Sequence, residues 1–177
     1  RAGGMEVCEY SGIRSNPVIE DVDAAAAIGR DRKVDVILAV GGGSVIDSAK
    51  IISVAIPVLH PAWDFFTGAK AAEAVPLVAV LTLAATGTEM NPFAVVSNHA
   101  LGVKSAFGSP LTFPKNSFLD PALTLSVPAD YTAYGIADLI AHSFEAWFGI
   151  GDTTLTDRFV VSIVKEAMEY GPRLMAD

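Results

Sequence analysis

The order of an apolar run, three glycines and a helical pattern between residues 34 and 56 constrains the fold most. The run VDVILAV (34–40) is rich in β-branched residues, which is typical of a strand buried on both faces. Three consecutive glycines end it, and SVIDSAKIISVAI restarts a helical period. A second apolar run, PLVAVLTL (76–83), follows. This alternation predicts an α/β fold built on a parallel sheet.

The segments before and after this region extend the same pattern. MEVCEY (5–10) predicts a short first strand with Cys8 buried in it, and Asn16 and Pro17 predict the N-cap and first turn of a helix that continues to residue 33. Three shorter strands are predicted from FAVVSN, KSAFGS and NSFLD. From residue 128 onward only helical patterns remain. We therefore expect an α/β domain over 1–127 and the beginning of an all-helical domain over 128–177.

Composition excludes several classes of protein. The net charge of −8 comes without any run of Lys and Arg, so we expect no nucleic-acid partner. The longest apolar stretch, 74–85, is shorter than the ~20 residues of a membrane span, so we expect no membrane insertion. The single cysteine excludes an internal disulfide and a cysteine-based zinc site. A cytoplasmic protein fits these features, and the missing initiator Met leads us to expect a segment before Arg1.

The glycine turn has two physical interpretations. It matches neither G-x-G-x-x-G, because Ile46 stands at the third glycine position, nor a P-loop. Glycines between a buried parallel strand and a helix nevertheless let a pyrophosphate approach the backbone N–H groups of the helix N-terminus. Alternatively, Ser44 and Asp47 form a capping box, and the turn needs no ligand. The spacing alone leaves both interpretations open.

A second candidate site lies in the helical part. Asp138 and His142 are four residues apart, which places them on one face of a helix, and Glu145 extends the same polar stripe. A carboxylate and an imidazole at this spacing can share a divalent metal, but two ligands are an incomplete site. A helix-stabilising pair on a solvated face is the alternative. The other histidines, His60 and His99, fall in loops and do not complete the site.

Several motifs, taken in their order, resemble a known family. VGGGSVIDSAK, LTLAATGTEMN, GVKSAFGSP, FLDPALTLSVP and GIADLIAHSFE are similar to segments of the iron-containing alcohol dehydrogenases, and WDFFTG and YGP resemble the butanol dehydrogenase-like, NADPH-preferring branch. The resemblance covers nearly the whole chain. It implies a Rossmann-like nucleotide-binding domain followed by a helical metal-binding domain, and a homodimer.

The resemblance also implies roles for particular residues and a cofactor, NADP(H) or NAD(H). It implies that the glycine turn binds phosphate, with a nucleotide site made by Gly42, Gly43, Ser44, Asp47, Thr82, Thr86 and Lys104. Asp138 and His142 match the first two of four ligands to Fe²⁺ or Zn²⁺, and the family's other two come from later helices. Family members also begin earlier. We therefore expect the chain to be the middle of a longer enzyme, inactive as it stands.

The expected reaction is hydride transfer between a small alcohol or aldehyde and the nicotinamide, with the metal acting as a Lewis acid on the substrate oxygen. No residue is assigned as the general acid or base. Two alternatives remain: a relative of the zinc-dependent glycerol dehydrogenases or of dehydroquinate synthase on the same scaffold, and a truncated homologue that binds nucleotide or dimerises without turnover.

Overall fold

The computed structural model describes residues 3–176. The chain divides into two compact units, each of which is discontinuous in sequence. The first unit comprises Arg1–Thr82 and Gly87–Pro121, and the second comprises Leu83–Thr86 and Ala122–Asp177. The domain boundary predicted near residue 127 stays a prediction.

The first unit is a mixed α/β structure, which confirms the predicted fold class. Strands β1, β2 and β5 form a parallel sheet in the order β1-β2-β5, and β3 and β4 form an antiparallel hairpin. Its helices and strands are α1 (Ile19–Asp31), β1 (Ile37–Gly41), α2 (Gly43–Ala55), β2 (Leu77–Leu81), β3 (Phe93–Asn98), β4 (Val103–Gly108) and β5 (Asn116–Phe118).

Helix α2 is the centre of the core of this unit. One cluster packs its residues Ile51 and Val54 with Val22 of α1 and Val96 of β3, all fully buried. A second cluster joins Ile46 of α2 to the inward side chains of β1 and β2. Helix α2 therefore contributes buried side chains to both apolar clusters of the unit.

Two expectations about the first strands are wrong. In β1 only one face is buried, since Ala39 is 3% exposed but Leu38 and Val40 are 62% and 55% exposed. Within residues 3–176, β1 is the edge of its sheet, and α2 packs on one side of it. Residues 5–10 form no strand, because no strand in the described part of the chain pairs with them, and Cys8 is exposed rather than buried.

The C-terminal end of α2 is held by a side chain of α1. The guanidinium of Arg30 donates hydrogen bonds to three carbonyl oxygens at this end, those of Ala55 (2.8 Å), Ile56 (3.0 Å) and Val58 (2.5 Å). A helix leaves its last carbonyls without intrahelical donors, so one planar cation satisfies several of them at once.

We expect Arg30→Met to lower the free energy of unfolding by about 2 kcal/mol, because it leaves these partly buried carbonyls without a donor. The measurement is urea unfolding followed by circular dichroism. Arg14→Met is the matched control, since Arg14 forms only an exposed ion pair with Asp21 and should cost less than about 1 kcal/mol. Equal effects of the two variants would contradict the capping role of Arg30.

The second unit is helical, as predicted for the residues after 128. It contains α3 (Ala129–Trp147) and α4 (Thr154–Leu174). Small residues permit close packing here: a Cβ at Gly135 would lie 3.0 Å from the carbonyl oxygen of Ala84, and one at Gly171 would lie 3.3 Å from the side chain of Ile136. Among the described residues, no helix is both long and apolar enough to cross a membrane.

Candidate functional site

The three glycines lie where β1 ends and α2 begins. A Cβ at Gly41 would lie 2.6 Å from the side chain of Val45, so this glycine is needed for the strand and the helix to approach each other. Gly42 precedes the helix in extended conformation, without a side-chain cap. The N–H groups of Gly43 and Ser44 belong to the first helical turn, which has no intrahelical acceptor for them. This turn can therefore donate to an anion.

Asn16 connects this turn to Lys104. The prediction that Asn16 caps α1 is wrong: the N-cap is Val18, and Asn16 has a left-handed backbone (φ 57°), which asparagine tolerates. Its backbone N–H donates to Ser44 Oγ (3.3 Å), and its side-chain oxygen accepts from Lys104 Nζ (2.8 Å). Asn16 thus hydrogen-bonds to both the exposed ammonium on β4 and the hydroxyl at the start of α2.

Asp47 does not have the capping role that its spacing suggested. The predicted capping box is wrong, because Ser44 and Asp47 both lie inside α2 and no side chain caps the helix. Asp47 Oδ1 accepts from the Thr88 hydroxyl (2.5 Å), and Oδ2 accepts from the Val95 N–H (2.9 Å). Burial raises the pKa of Asp47 above its usual 3.8, while these two bonds and the nearby lysine charges oppose that rise.

Lys50 is a member of the site that the sequence analysis missed. Its side chain is fully buried, and the three N–H donors of Nζ are shared among four acceptors: the carbonyl oxygens of Thr88 (2.6 Å) and Phe93 (2.7 Å), the Thr88 hydroxyl (2.7 Å) and Asn91 Oδ1 (3.2 Å). Because the Thr88 hydroxyl accepts from Lys50 and donates to Asp47, it bridges the ammonium and the carboxylate. The sequence signal for this pair is the three-residue spacing of Asp47 and Lys50 on a helix without any other charged residue.

The burial of Lys50 predicts a specific pH dependence of stability. Burial lowers the pKa of Lys50 from 10.5 to about 8, against the opposing charges of Asp47 and Glu89. Between these values the unfolded chain binds more protons than the folded chain, so the contribution of Lys50 to the free energy of unfolding rises with pH. We expect the difference in unfolding free energy between wild type and Lys50→Met to grow as the pH is raised through this window.

Urea unfolding at a series of pH values measures this difference. Lys70→Met, which removes an exposed ammonium, provides the baseline. A difference between wild type and Lys50→Met that stays constant or shrinks from pH 8 upward would contradict the lowered pKa.

The two threonines predicted to line the cofactor cleft belong to different units. Thr82 follows β2, and its backbone N–H donates to the carbonyl of Gly41 (3.1 Å), which places it beside the glycine turn. Thr86 is exposed and belongs to the second unit. The structure therefore brings Thr82 together with the turn at the start of α2, in the same unit as Lys104.

The predicted metal ligands lie on one face of α3. His142 Nε2 is 3.5 Å from Asp138 Oδ2, and His142 Nδ1 is 3.4 Å from Glu145 Oε2. The side chains of Asp138 and His142 are both about half exposed. Both donor atoms can contact one divalent ion, since ligand–metal bonds are about 2.0–2.2 Å long. Across residues 3–176, no group of three or more His, Cys, Asp or Glu could hold a metal, so the pair fits part of a site.

The other two histidines, His60 and His99, are distant from this pair in sequence. His60 Nδ1 lies 3.5 Å from Asp64 Oδ2, and its ring contacts Phe65 edge-on at 5.0 Å between centroids. His99 is exposed in the turn between β3 and β4.

Comparison with known proteins gives matches over nearly the whole chain. The family model described as "Iron-containing alcohol dehydrogenase" matches residues 1–121. The chain is 41% identical over 176 residues to "Probable NADH-dependent butanol dehydrogenase 2" of Bacillus subtilis, covering 98% of this chain and 45% of that protein. It is 38% identical to "NADPH-dependent aldehyde reductase YqhD" of Escherichia coli, with 98% and 46% covered.

A solved structure agrees with these matches. NADH-dependent butanol dehydrogenase A of Thermotoga maritima has a TM-score of 0.92 against this chain at 35% sequence identity, covering 97% of this chain and 43% of that one. The chain thus spans less than half the length of the relatives it matches.

Proposed function

The chain belongs to the iron-containing alcohol dehydrogenase family, and we propose that the protein interconverts a primary alcohol and its aldehyde by hydride transfer with a nicotinamide dinucleotide. The observation that carries the proposal is the start of α2. There a glycine turn exposes the N–H groups of a helix N-terminus beside the Ser44 hydroxyl and the Lys104 ammonium, joined through Asn16. This arrangement suits the pyrophosphate of a dinucleotide.

In this proposal the residues of the first unit bind and orient the nucleotide. The backbone N–H groups of Gly42, Gly43 and Ser44 donate to the pyrophosphate, and Lys104 neutralises part of its charge. Thr82, beside the glycine turn, is a further nucleotide-binding residue of this unit, and Thr86 of the second unit stays a candidate of the same kind. The bound nicotinamide supplies the hydride acceptor or donor. Orientation of the reacting carbon against the nicotinamide is the main contribution of these residues.

Asp138 and His142 would hold the metal in the second unit. A divalent metal bound there supplies a Lewis acid that polarises the substrate oxygen. His142 Nδ1 lies close enough to Glu145 for that carboxylate to orient the ring and leave Nε2, on the Asp138 side, as the ligand atom. We assign no side chain to the proton transfer.

The finer identity of the cofactors belongs to the same proposal. The relatives include both NADH-dependent and NADPH-dependent enzymes, which supports NAD(H) or NADP(H) without favouring one. The family description supports Fe²⁺, and an Asp/His pair also suits Zn²⁺. We further propose a small alcohol or aldehyde substrate, a homodimer and a cytoplasmic location.

The test is reduction of a short-chain aldehyde by the purified full-length protein, followed by loss of the nicotinamide absorbance. NADH and NADPH are compared, each with added Fe²⁺, added Zn²⁺ or a chelator. Turnover that requires both a nucleotide and a metal supports the proposal. Tight nucleotide binding without turnover under any of these conditions would favour a non-catalytic binding protein, and absence of both would overturn the proposal.

A further inference from the structure

The start of α2 holds a negative charge beside the turn proposed to bind phosphate. Asp47 is four residues, about one helical turn, beyond Gly43. Both of its oxygens accept hydrogen bonds, from the Thr88 hydroxyl and the Val95 N–H, which is the pattern of an ionised carboxylate. A pyrophosphate also carries negative charge. Within a partly buried site the two would repel each other unless a cation compensated Asp47.

We propose that Lys50 is the buried counter-ion of Asp47 and that this neutralisation lets an anionic pyrophosphate bind at the N-terminus of α2. The proposal rests on the proposed nucleotide binding. It makes Lys50 a positioning residue, since its ammonium contacts the protein and acts through Asp47. The Thr88 hydroxyl joins the two charges through hydrogen bonds of 2.7 Å and 2.5 Å.

The surroundings of Lys50 fix its charge in place. The side chain is 0% exposed, and two carbonyls, a hydroxyl and an amide oxygen surround its ammonium. A lysine buried in this way is screened little by salt. All four acceptors of the ammonium are protein atoms, so its charge is in place before a nucleotide binds.

The other charges near the pair do not replace Lys50. Glu89, from the segment before β3, acts on Lys50 with the same sign as Asp47. Lys104, from β4, acts on Asp47 but is exposed, and its ammonium binds Asn16. Solvent screens an exposed charge more strongly than a buried one. Lys50 is thus the buried positive charge that compensates Asp47.

The test compares the binding of ADP, which carries a pyrophosphate, with that of neutral adenosine, by isothermal titration calorimetry near pH 7. We expect Lys50→Met to raise the dissociation constant for ADP about tenfold or more and to change that for adenosine by less than about threefold. Asp47→Asn should bind ADP at least as tightly as wild type. The double variant Asp47→Asn/Lys50→Met should return to within about threefold of wild type, because no unpaired charge remains.

Thr88→Val is the matched control for geometry. It removes the bridging hydroxyl and keeps both charges, so it should weaken ADP binding less than Lys50→Met does. ADP binding by Lys50→Met that equals wild type, or a double variant as weak as Lys50→Met, would overturn the inference. If Lys50→Met does not fold, Asp47→Asn decides: tenfold weaker ADP binding overturns the inference, and equal or tighter binding supports it.

Binding by the wild-type protein separates the two proposals. If wild type binds none of NADH, NADPH and ADP, the proposed function fails and the inference fails with it. If wild type binds them and Lys50→Met and Asp47→Asn bind ADP with the same affinity as wild type, the inference alone fails.

Discussion

In the full-length protein, we expect His142→Ala to lower the proposed aldehyde reduction by about a hundredfold or more and to leave the dissociation constant for the nucleotide within about threefold of wild type. Asp138 and His142 are the two donors that α3 presents, with Nε2 and Oδ2 3.5 Å apart. Removing the imidazole leaves α3 with one proposed ligand, the Asp138 carboxylate, which weakens the binding of a divalent ion. Turnover is measured with saturating nucleotide and metal, and bound metal is measured by mass spectrometry after dialysis.

His99→Ala is the matched control, because His99 is an exposed histidine in the turn between β3 and β4. It should keep both turnover and metal. Asp138→Ala should behave like His142→Ala. Loss of nucleotide affinity in both α3 variants would contradict the separation of metal-binding and nucleotide-binding roles. Full activity of His142→Ala would show that His142 is not a metal ligand.

Replacing Gly43 with valine will weaken binding of NADH or NADPH by about a hundredfold or more while the fold and bound metal are retained. Gly43 is the first residue of α2, in the turn whose N–H groups are proposed to receive the pyrophosphate. A branched side chain there occupies the approach of the phosphates. Nucleotide affinity is measured by titration of nicotinamide fluorescence, and the fold by thermal unfolding.

The control for this variant is Ala27→Val, which adds the same branched side chain at an exposed position of α1. It should leave nucleotide binding unchanged. Unaltered affinity in Gly43→Val would mean that the glycines serve only to turn the chain, as Gly41 does against Val45.

Local patterns predicted most of the elements. The apolar runs became β1 and β2, the glycines became the strand-to-helix turn, and the short strands after residue 92 are β3, β4 and β5. These features depend on periodicity and on glycine geometry, which are properties of neighbouring residues. The strand predicted at residues 5–10 is wrong, because a strand needs a neighbouring strand to pair with and the local sequence does not identify one.

The site was harder to predict because its bonds join distant residues. Ser44 and Asp47 have the spacing of a capping box, but Asp47 bonds to Thr88, which is 41 residues away along the chain. Asn16 precedes a helix like a cap, but its side chain meets Lys104, 88 residues away. In both cases a tertiary partner competes with the local hydrogen bond and wins. Spacing located the polar residues correctly and assigned them the wrong partners.

The discontinuous second unit matters for protein engineering. Leu83–Thr86 belongs with Ala122–Asp177, although the chain between them builds part of the first unit. A chimera that exchanged only the residues after 121 would therefore combine a donor helix pair with a foreign tetrapeptide, and Gly135 would face a different backbone from that of Ala84. Swapping both segments together preserves that close approach. Recombination between relatives should accordingly have two crossovers around residues 83–86 in addition to the one near 121.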